Sequence, residues 1–145
     1  LVADLGEQPA EAILREIGEP RLRGMLRLAG YIPNSDLPAI YSRASAFLYT
    51  SLRESFGIPQ LEAMACGTPV VTSATSAIPE VAGEGAILVD PTDPKAIADA
   101  LLRLETDAAF RARQVAYGLE RVKRFSWEKT ARHLLALYES LGKTN

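Results

Sequence analysis

Glu54 and Glu62 stand eight positions apart in a stretch whose other residues could hold a ligand between them. Glu54 falls in a polar segment. Glu62 falls one turn inside a helix that Pro59 opens, because proline at the first helical turn has no N–H to leave unpaired. The start of that helix offers backbone N–H groups around Phe56, Gly57 and Ile58, and with the helix dipole these suit an anion, above all a phosphate. Gly57 lets a ligand approach the main chain closely. Carboxylates accept well from sugar hydroxyls. The pattern therefore fits a ligand that is anionic in one part and rich in hydroxyls in another, as a sugar nucleotide is. A plain structural reading stands beside it: a glutamate near a helix start stabilises the dipole by up to about 1 kcal/mol with no ligand at all.

The elements that must position these residues lie in 46–72. Ala46–Thr50 is a short apolar run with Phe47, Leu48 and Tyr49 and reads as a buried strand. Ser51–Gly57 reads as a loop. Leu61, Met64 and Ala65 make the apolar face of the helix, and Gly67 stops it. Thr68–Thr72 returns to β-branched residues and reads as the next strand. A strand–loop–helix–strand unit is the repeat of a parallel α/β sheet, which binds ligands at the carboxyl ends of its strands.

The 145 residues suffice for one domain with a real core. A hydrophobic share of 48% and a charged share of 23% are ordinary for a globular protein. A net charge of −2 gives no general pull toward nucleic acid or anionic membrane. No apolar run approaches the roughly 20 residues of a membrane span. No signal-peptide pattern opens the sequence, and the single cysteine, Cys66, fits a reducing compartment, so a cytoplasmic location is expected. Cys66 reads as packed rather than nucleophilic. One His and one Cys do not make a metal site.

Along the rest of the chain, the apolar start at Leu1 reads as the end of a buried strand. Pro9 opens a helix with Ala10, Ile13, Leu14 and Ile17 inward, and Gly18 ends it. Residues 23–29 read as a strand. Asn34 or Ser35 caps a helix from Asp36, with Leu37, Ile40, Tyr41 and Ala44 inward. Residues 72–77 are small and hydroxyl-rich and border the same strand ends as the two glutamates. Residues 79–81 read as a short helical turn, and Glu80 carries no assigned chemistry. Ala86–Val89 reads as a strand, and Asp93 caps a helix with Ile97, Leu101 and Leu104 as its stripe. Residues 107–124 read as a helix with Ala112, Val115, Ala116, Leu119 and Val122 inward and a basic, solvated outer face. Ser126 caps a last helix, with Trp127, Ala131, Leu134, Leu135, Tyr138 and Leu141 as a regular stripe and His133 off it.

The segment RESFGIPQLEAMACGTPVVTSATSAIPEVAGEGAILVDPTDP, residues 53–94, resembles the C-terminal, donor-binding domain of retaining group 1 glycosyltransferases, family four, of the GT-B fold. The features that match in order are a Glu, seven residues, a second Glu, an Ala-Met-Ala-Cys-Gly helix end, Pro-Val-Val and a downstream Pro-Glu-Val. The similarity continues weakly from Gly30 to the FSWEKTA stretch. It implies a Rossmann-like parallel sheet flanked by helices, with residues 1–145 as one nucleotide-sugar-binding domain. The resemblance places Leu1 in the second strand of that domain. The first strand, its helix, the family's basic residues and the acceptor-binding N-terminal domain would then lie outside the chain, as in a fragment. It also implies that the terminal helix reaches toward the N-terminal domain, so that part of its stripe is exposed here or docks on another copy.

The implied reaction is hexosyl transfer from a nucleotide-diphosphate sugar, with retention, to a sugar, lipid or small-molecule acceptor. No cofactor is expected, and no nucleic acid. Glu62 takes the donor ribose hydroxyls and Glu54 the transferred sugar. The amides of Phe56, Gly57 and Ile58 meet sugar and phosphate oxygens, and the backbone at Tyr31 and Ile32 lies near the nucleobase. For Tyr31 and Ile32 a plain strand-end turn remains the alternative. Helix amides stabilise a leaving diphosphate without metal, in agreement with the lack of an Asp-x-Asp motif. With no well-placed nucleophile, front-face attack with the leaving phosphate as base is the expected route. A peripheral membrane position is a further expectation for the full-length protein. Three other readings remain open at this stage. One is a non-catalytic nucleotide-binding module needing a partner half. Another is a flavodoxin- or receiver-like regulatory domain, for which Asp4 stands alone where an acidic cluster is wanted. NAD binding would need a Gly-x-Gly-x-x-Gly turn, which follows no predicted strand.

Overall fold

The computed structural model describes the backbone of residues 2–3 and all of residues 7–142. The chain divides into two compact units, Leu1–Leu37 and Pro38–Asn145. Asp4 lies outside the described residues.

In the first unit, strand β1 (Val2–Ala3) pairs in parallel with β2 (Arg27–Leu28), and helix α1 (Glu7–Glu16) lies between them in sequence. Helix α1 starts two residues before Pro9, which its first turn tolerates. Ala10 and Leu14 are buried, whereas Ile13 and Ile17 are 48% and 58% exposed. The expected inner face is thus half as wide as the spacing predicts. The strand expected over 23–29 shrinks to β2, because Pro20 opens a 3-10 turn that runs to Met25. That turn packs on α1, and Arg23 forks onto the Glu7 carboxylate at 2.6–2.8 Å.

In the second unit, helix α2 (Leu37–Arg43) leads into a three-stranded parallel sheet. The helix expected from Asp36 starts at Leu37, and the Ser35 hydroxyl donates to the Asp36 carboxylate at 3.1 Å. Strands β3 (Phe47–Tyr49), β4 (Val70–Ser73) and β5 (Ala86–Val89) lie in the order β3-β4-β5, with Tyr49 opposite Thr72 and Thr72 opposite Leu88. All of β4 is buried, which for alternating side chains means that both faces of the sheet are covered. Helix α3 (Ile58–Ala65) joins β3 to β4, and the short α4 (Ile78–Ala82) with a 3-10 turn at Gly83–Gly85 joins β4 to β5. Helices α5 (Pro94–Thr106), α6 (Ala108–Val122) and α7 (Trp127–Gly142) follow. Asp93 caps α5 by accepting from the Lys95 and Ala96 amides at 2.9 and 3.1 Å, and Asp107 caps α6 through Phe110 N at 2.8 Å.

The inner faces of two helices differ from those predicted. Helix α3 buries Gln60, Ala63 and Met64, while Ala65 is exposed and Leu61 half-buried. Helix α6 buries Phe110 and Gly118, with Val115 and Val122 half-buried and Ala112, Ala116 and Leu119 exposed. The reason is one close crossing. A Cβ on Gly118 would lie 3.2–3.3 Å from Met64 side-chain atoms, so the two helices meet where α6 has no side chain. Phe110 anchors the other end in a cluster with Val71, Val89, Ala100 and Leu104.

On the basic face of α6 and the residues after it, Arg113, Lys123 and Arg124 are exposed as expected, while Arg111 and Arg121 are half-buried. Arg111 donates to Ser45 O at 2.5 Å, Lys123 pairs with Glu120 at 2.7 Å, and Arg121 donates to Val81 O at 2.8 Å and to Glu80 O. Arg121 thereby satisfies the last carbonyls of α4. On α7, the Ser126 hydroxyl accepts from Lys129 N, and Trp127, Leu134, Leu135, Tyr138 and Leu141 are exposed, as are Ala131 and His133.

The crossing gives a stability prediction. Gly118→Val should cost about 1–3 kcal/mol by overpacking against Met64, read as a lower urea midpoint, and Gly118→Ala should cost less because the thioether can yield. Equal stability of Gly118→Val and the parent chain would show that the crossing is loose.

Candidate functional site

Glu54, Phe56, Gly57 and Ile58 lie on the loop from β3 into α3, and Glu62 projects from the second turn of that helix. Gly57 sits at the helix start with φ 83°, in the left-handed region, and no side chain caps the helix. A Cβ on Gly57 would lie 2.9 Å from Gln60 Nε2, so another residue here would strain the backbone and make the Gln60 side chain shift. Phe56 and Ile58 are 40% and 44% exposed, whereas Gly57 between them is buried. The Phe56 ring stands edge-on to Phe125 at 5.7 Å, and Phe125 in turn carries the Arg121 guanidinium at 5.2 Å. The segment after α6 thereby braces the loop.

Each acid is held by a phenol. Tyr49 Oη donates to Glu54 Oε1 at 2.5 Å, and Tyr41 Oη donates to Glu62 Oε2 at 3.2 Å. The two tyrosines share one aromatic row. Tyr41 meets Phe47 edge-on at 5.2 Å, and Phe47 stacks on Tyr49 at 5.9 Å. Phe47 and Tyr49 face the same way because they are two apart on β3. The acids are therefore tied to a single set of packed rings. Burial, then the neighbouring carboxylate, pushes both phenols up from 10 to about 12.

The loop carrying Glu54 is held by hydroxyls. Past the end of the sheet ladder, Ser73 Oγ donates to Ser51 O at 2.6 Å, Thr75 Oγ1 to Leu52 O at 3.3 Å and Ser76 Oγ to Glu54 O at 2.6 Å. Thr72 Oγ1 donates to Tyr49 O at 2.8 Å within the ladder. Glu54 N also donates back to Ser76 Oγ at 3.2 Å, so one hydroxyl grips both polar atoms of the Glu54 main chain. Ser76 sits at φ 59°, a left-handed conformation that costs a non-glycine residue on the order of 1 kcal/mol. These bonds show what the hydroxyl-rich 72–77 stretch does.

Gln60 was not anticipated. It is fully buried beneath Gly57, its Nε2 donates to Phe56 O at 3.4 Å, and its Oε1 has no hydrogen-bond partner among the described residues. Its polarity at an apolar helical position was the available signal. Tyr41 is buried, as its place on α2 predicts, yet its hydroxyl reaches Glu62. Tyr31 and Ile32 belong to the Leu1–Leu37 unit, where Tyr31 is 84% exposed and Ile32 half-buried. Cys66 is free and half-buried. Among the described residues, no three His, Cys, Asp or Glu side chains converge as metal ligands do.

The family described as glycosyl transferases group 1 matches residues 5–121. The chain belongs to that family. The O-antigen chain mannosyltransferase B of Escherichia coli is 42% identical over 118 residues, which are 81% of this chain and 31% of that protein. The D-inositol 3-phosphate glycosyltransferase of Corynebacterium urealyticum is 38% identical over 133 residues, 90% of this chain and 31% of that protein. The structure of sucrose-phosphate synthase from Thermosynechococcus elongatus superposes with a TM-score of 0.84 at 31% identity, covering 100% of this chain and 38% of that one. The fold is accordingly the Rossmann-like α/β architecture of GT-B glycosyltransferases. The chain spans about a third of the length of these relatives.

The phenols predict an alkaline response. Tyr41 and Tyr49 are harder to ionise in the folded protein than in the unfolded chain, so their contribution to stability is complete below about pH 10 and is lost as pH rises to about 12. Denaturation midpoints measured over that window should fall, and should fall less steeply in Tyr41→Phe and Tyr49→Phe. An unchanged slope in both variants would contradict the assignment.

Proposed function

We propose that this chain is the donor-binding half of a glycosyltransferase that moves a hexosyl group from a nucleotide-diphosphate sugar to an acceptor with retention of configuration. The observation that carries the reading is the start of α3, which no side chain caps, between two carboxylates that share one aromatic row. The membership of the chain in the group 1 family supports it.

In this proposal the amides of Phe56, Gly57 and Ile58 receive the diphosphate and the neighbouring sugar oxygens. Preorganised N–H dipoles at a helix start stabilise the charge that develops on a leaving diphosphate, and they do so without a metal. Glu62 accepts from the ribose hydroxyls and Glu54 from those of the transferred sugar. Both keep acceptor capacity after their bonds to tyrosine, since an ionised carboxylate has about four lone-pair positions. The acceptor oxygen attacks the anomeric carbon on the face from which the diphosphate departs, and the departing phosphate oxygen takes its proton. The acceptor, a sugar, lipid or small molecule, is assigned to the part of the relatives' length that this chain does not span. The proposed compartment is the cytoplasm.

Glu62→Ala should weaken binding of the matching nucleoside diphosphate about tenfold or more, equivalent to ~1.4 kcal/mol. Calorimetry of the folded variant with UDP, GDP and ADP checks this. Unchanged affinity for the nucleotide that binds the parent chain would remove Glu62 from the ribose role.

A further inference from the structure

The two tyrosines are held at main chain, ring and hydroxyl alike. Each has its main-chain carbonyl held by a threonine hydroxyl: Thr68 Oγ1 donates to Tyr41 O at 2.5 Å and Thr72 Oγ1 to Tyr49 O at 2.8 Å. Each ring is packed against Phe47, and each hydroxyl ends on a different acid. Neither Glu54 nor Glu62 belongs to an ion pair among the described residues.

We propose that Tyr49 and Tyr41 are positioning residues, Tyr49 fixing Glu54 and Tyr41 fixing Glu62 in the orientation in which each acid meets the donor's hydroxyls. This rests on the donor-binding reading above. A free glutamate side chain loses on the order of 1.5–2 kcal/mol of rotamer entropy when a ligand immobilises it. A phenol that already holds one carboxylate oxygen removes part of that cost before the ligand arrives. Lysine or arginine could also hold the carboxylate, but would offset its charge and compete with the sugar hydroxyls. A phenol leaves the charge in place. The raised phenol pKa values keep both protons on the tyrosines throughout the neutral range.

Two positioning residues for two parts of one ligand make separable effects. In calorimetry with the chain, Tyr49→Phe should leave affinity for the nucleoside diphosphate within twofold and lower affinity for the matching nucleotide sugar about fivefold. Tyr41→Phe should lower both about equally. Tyrosines that serve only as core would lower both ligands alike in both variants, or neither, and either result overturns the proposal. The contact itself is read without ligand. With carbon-labelled tyrosine, the Tyr49 ionisation followed by NMR should move down from about 12 when Glu54→Gln removes the charge, and should stay put in Glu62→Gln. No movement in Glu54→Gln would overturn the positioning role. A parent chain that binds neither nucleotide nor nucleotide sugar overturns the donor-site reading itself, a failure distinct from loss of the tyrosine–glutamate coupling.

Discussion

The structure around the two acids depends on side-chain hydroxyls that hold main-chain carbonyls before, within and past the β3–β4 ladder. Thr68, Thr72, Ser73, Thr75 and Ser76 donate in turn to the carbonyls of Tyr41, Tyr49, Ser51, Leu52 and Glu54. Parallel strands β3 and β4 pair only as far as Tyr49 and Thr72. Beyond that point the β3 chain turns toward α3 and its carbonyls would otherwise have to find water. Thr72 and Ser73 are fully buried, and their bonds to Tyr49 O and Ser51 O offset the desolvation of their hydroxyls. The same bonds fix the path of the loop, and hence where Glu54 and the α3 amides stand. A loop at the carboxyl end of a strand is where flexibility would most degrade a binding site.

The second consequence concerns charge. A helix start presents partial positive charge, and two carboxylates beside it would by themselves be attracted inward onto the amides. The phenols of Tyr41 and Tyr49 hold them by hydrogen bonds to packed rings. Gly57, at φ 83° and buried against Gln60, places no side chain of its own beside the amides. The crossing of α6 over Met64 and the Phe125–Phe56 contact support this arrangement from behind. Packing, backbone angle and hydroxyl ladder thus serve one opening.

Much of this was legible in the sequence. The strand–loop–helix–strand unit, the stops at Gly18 and Gly67 and the caps at Asp93 and Ser126 follow from local rules that tertiary contacts did not override. What local rules missed was set by packing partners distant in sequence. Apolar spacing put Ala65 and Leu119 inward, but the glycine at 118 drew the helices together on another line and left both exposed. Residues 23–25 look like strand until Pro20 begins a turn and Glu7 captures Arg23. At the site, the acids and the helix start were visible as residue types at a given spacing. Of their holders, the hydroxyl-rich 72–77 stretch was placed beside them, but the phenol contacts were not, and Tyr41 lies 21 positions from Glu62.

Donor binding as proposed requires that the start of α3 before Pro59 receives a diphosphate. Amide chemical shifts recorded while the chain is titrated with a nucleoside diphosphate test it most directly. Saturable shifts should be largest at Phe56, Gly57 and Ile58, with smaller ones near Glu62. Saturable shifts confined to other segments, with those amides unmoved, would contradict it.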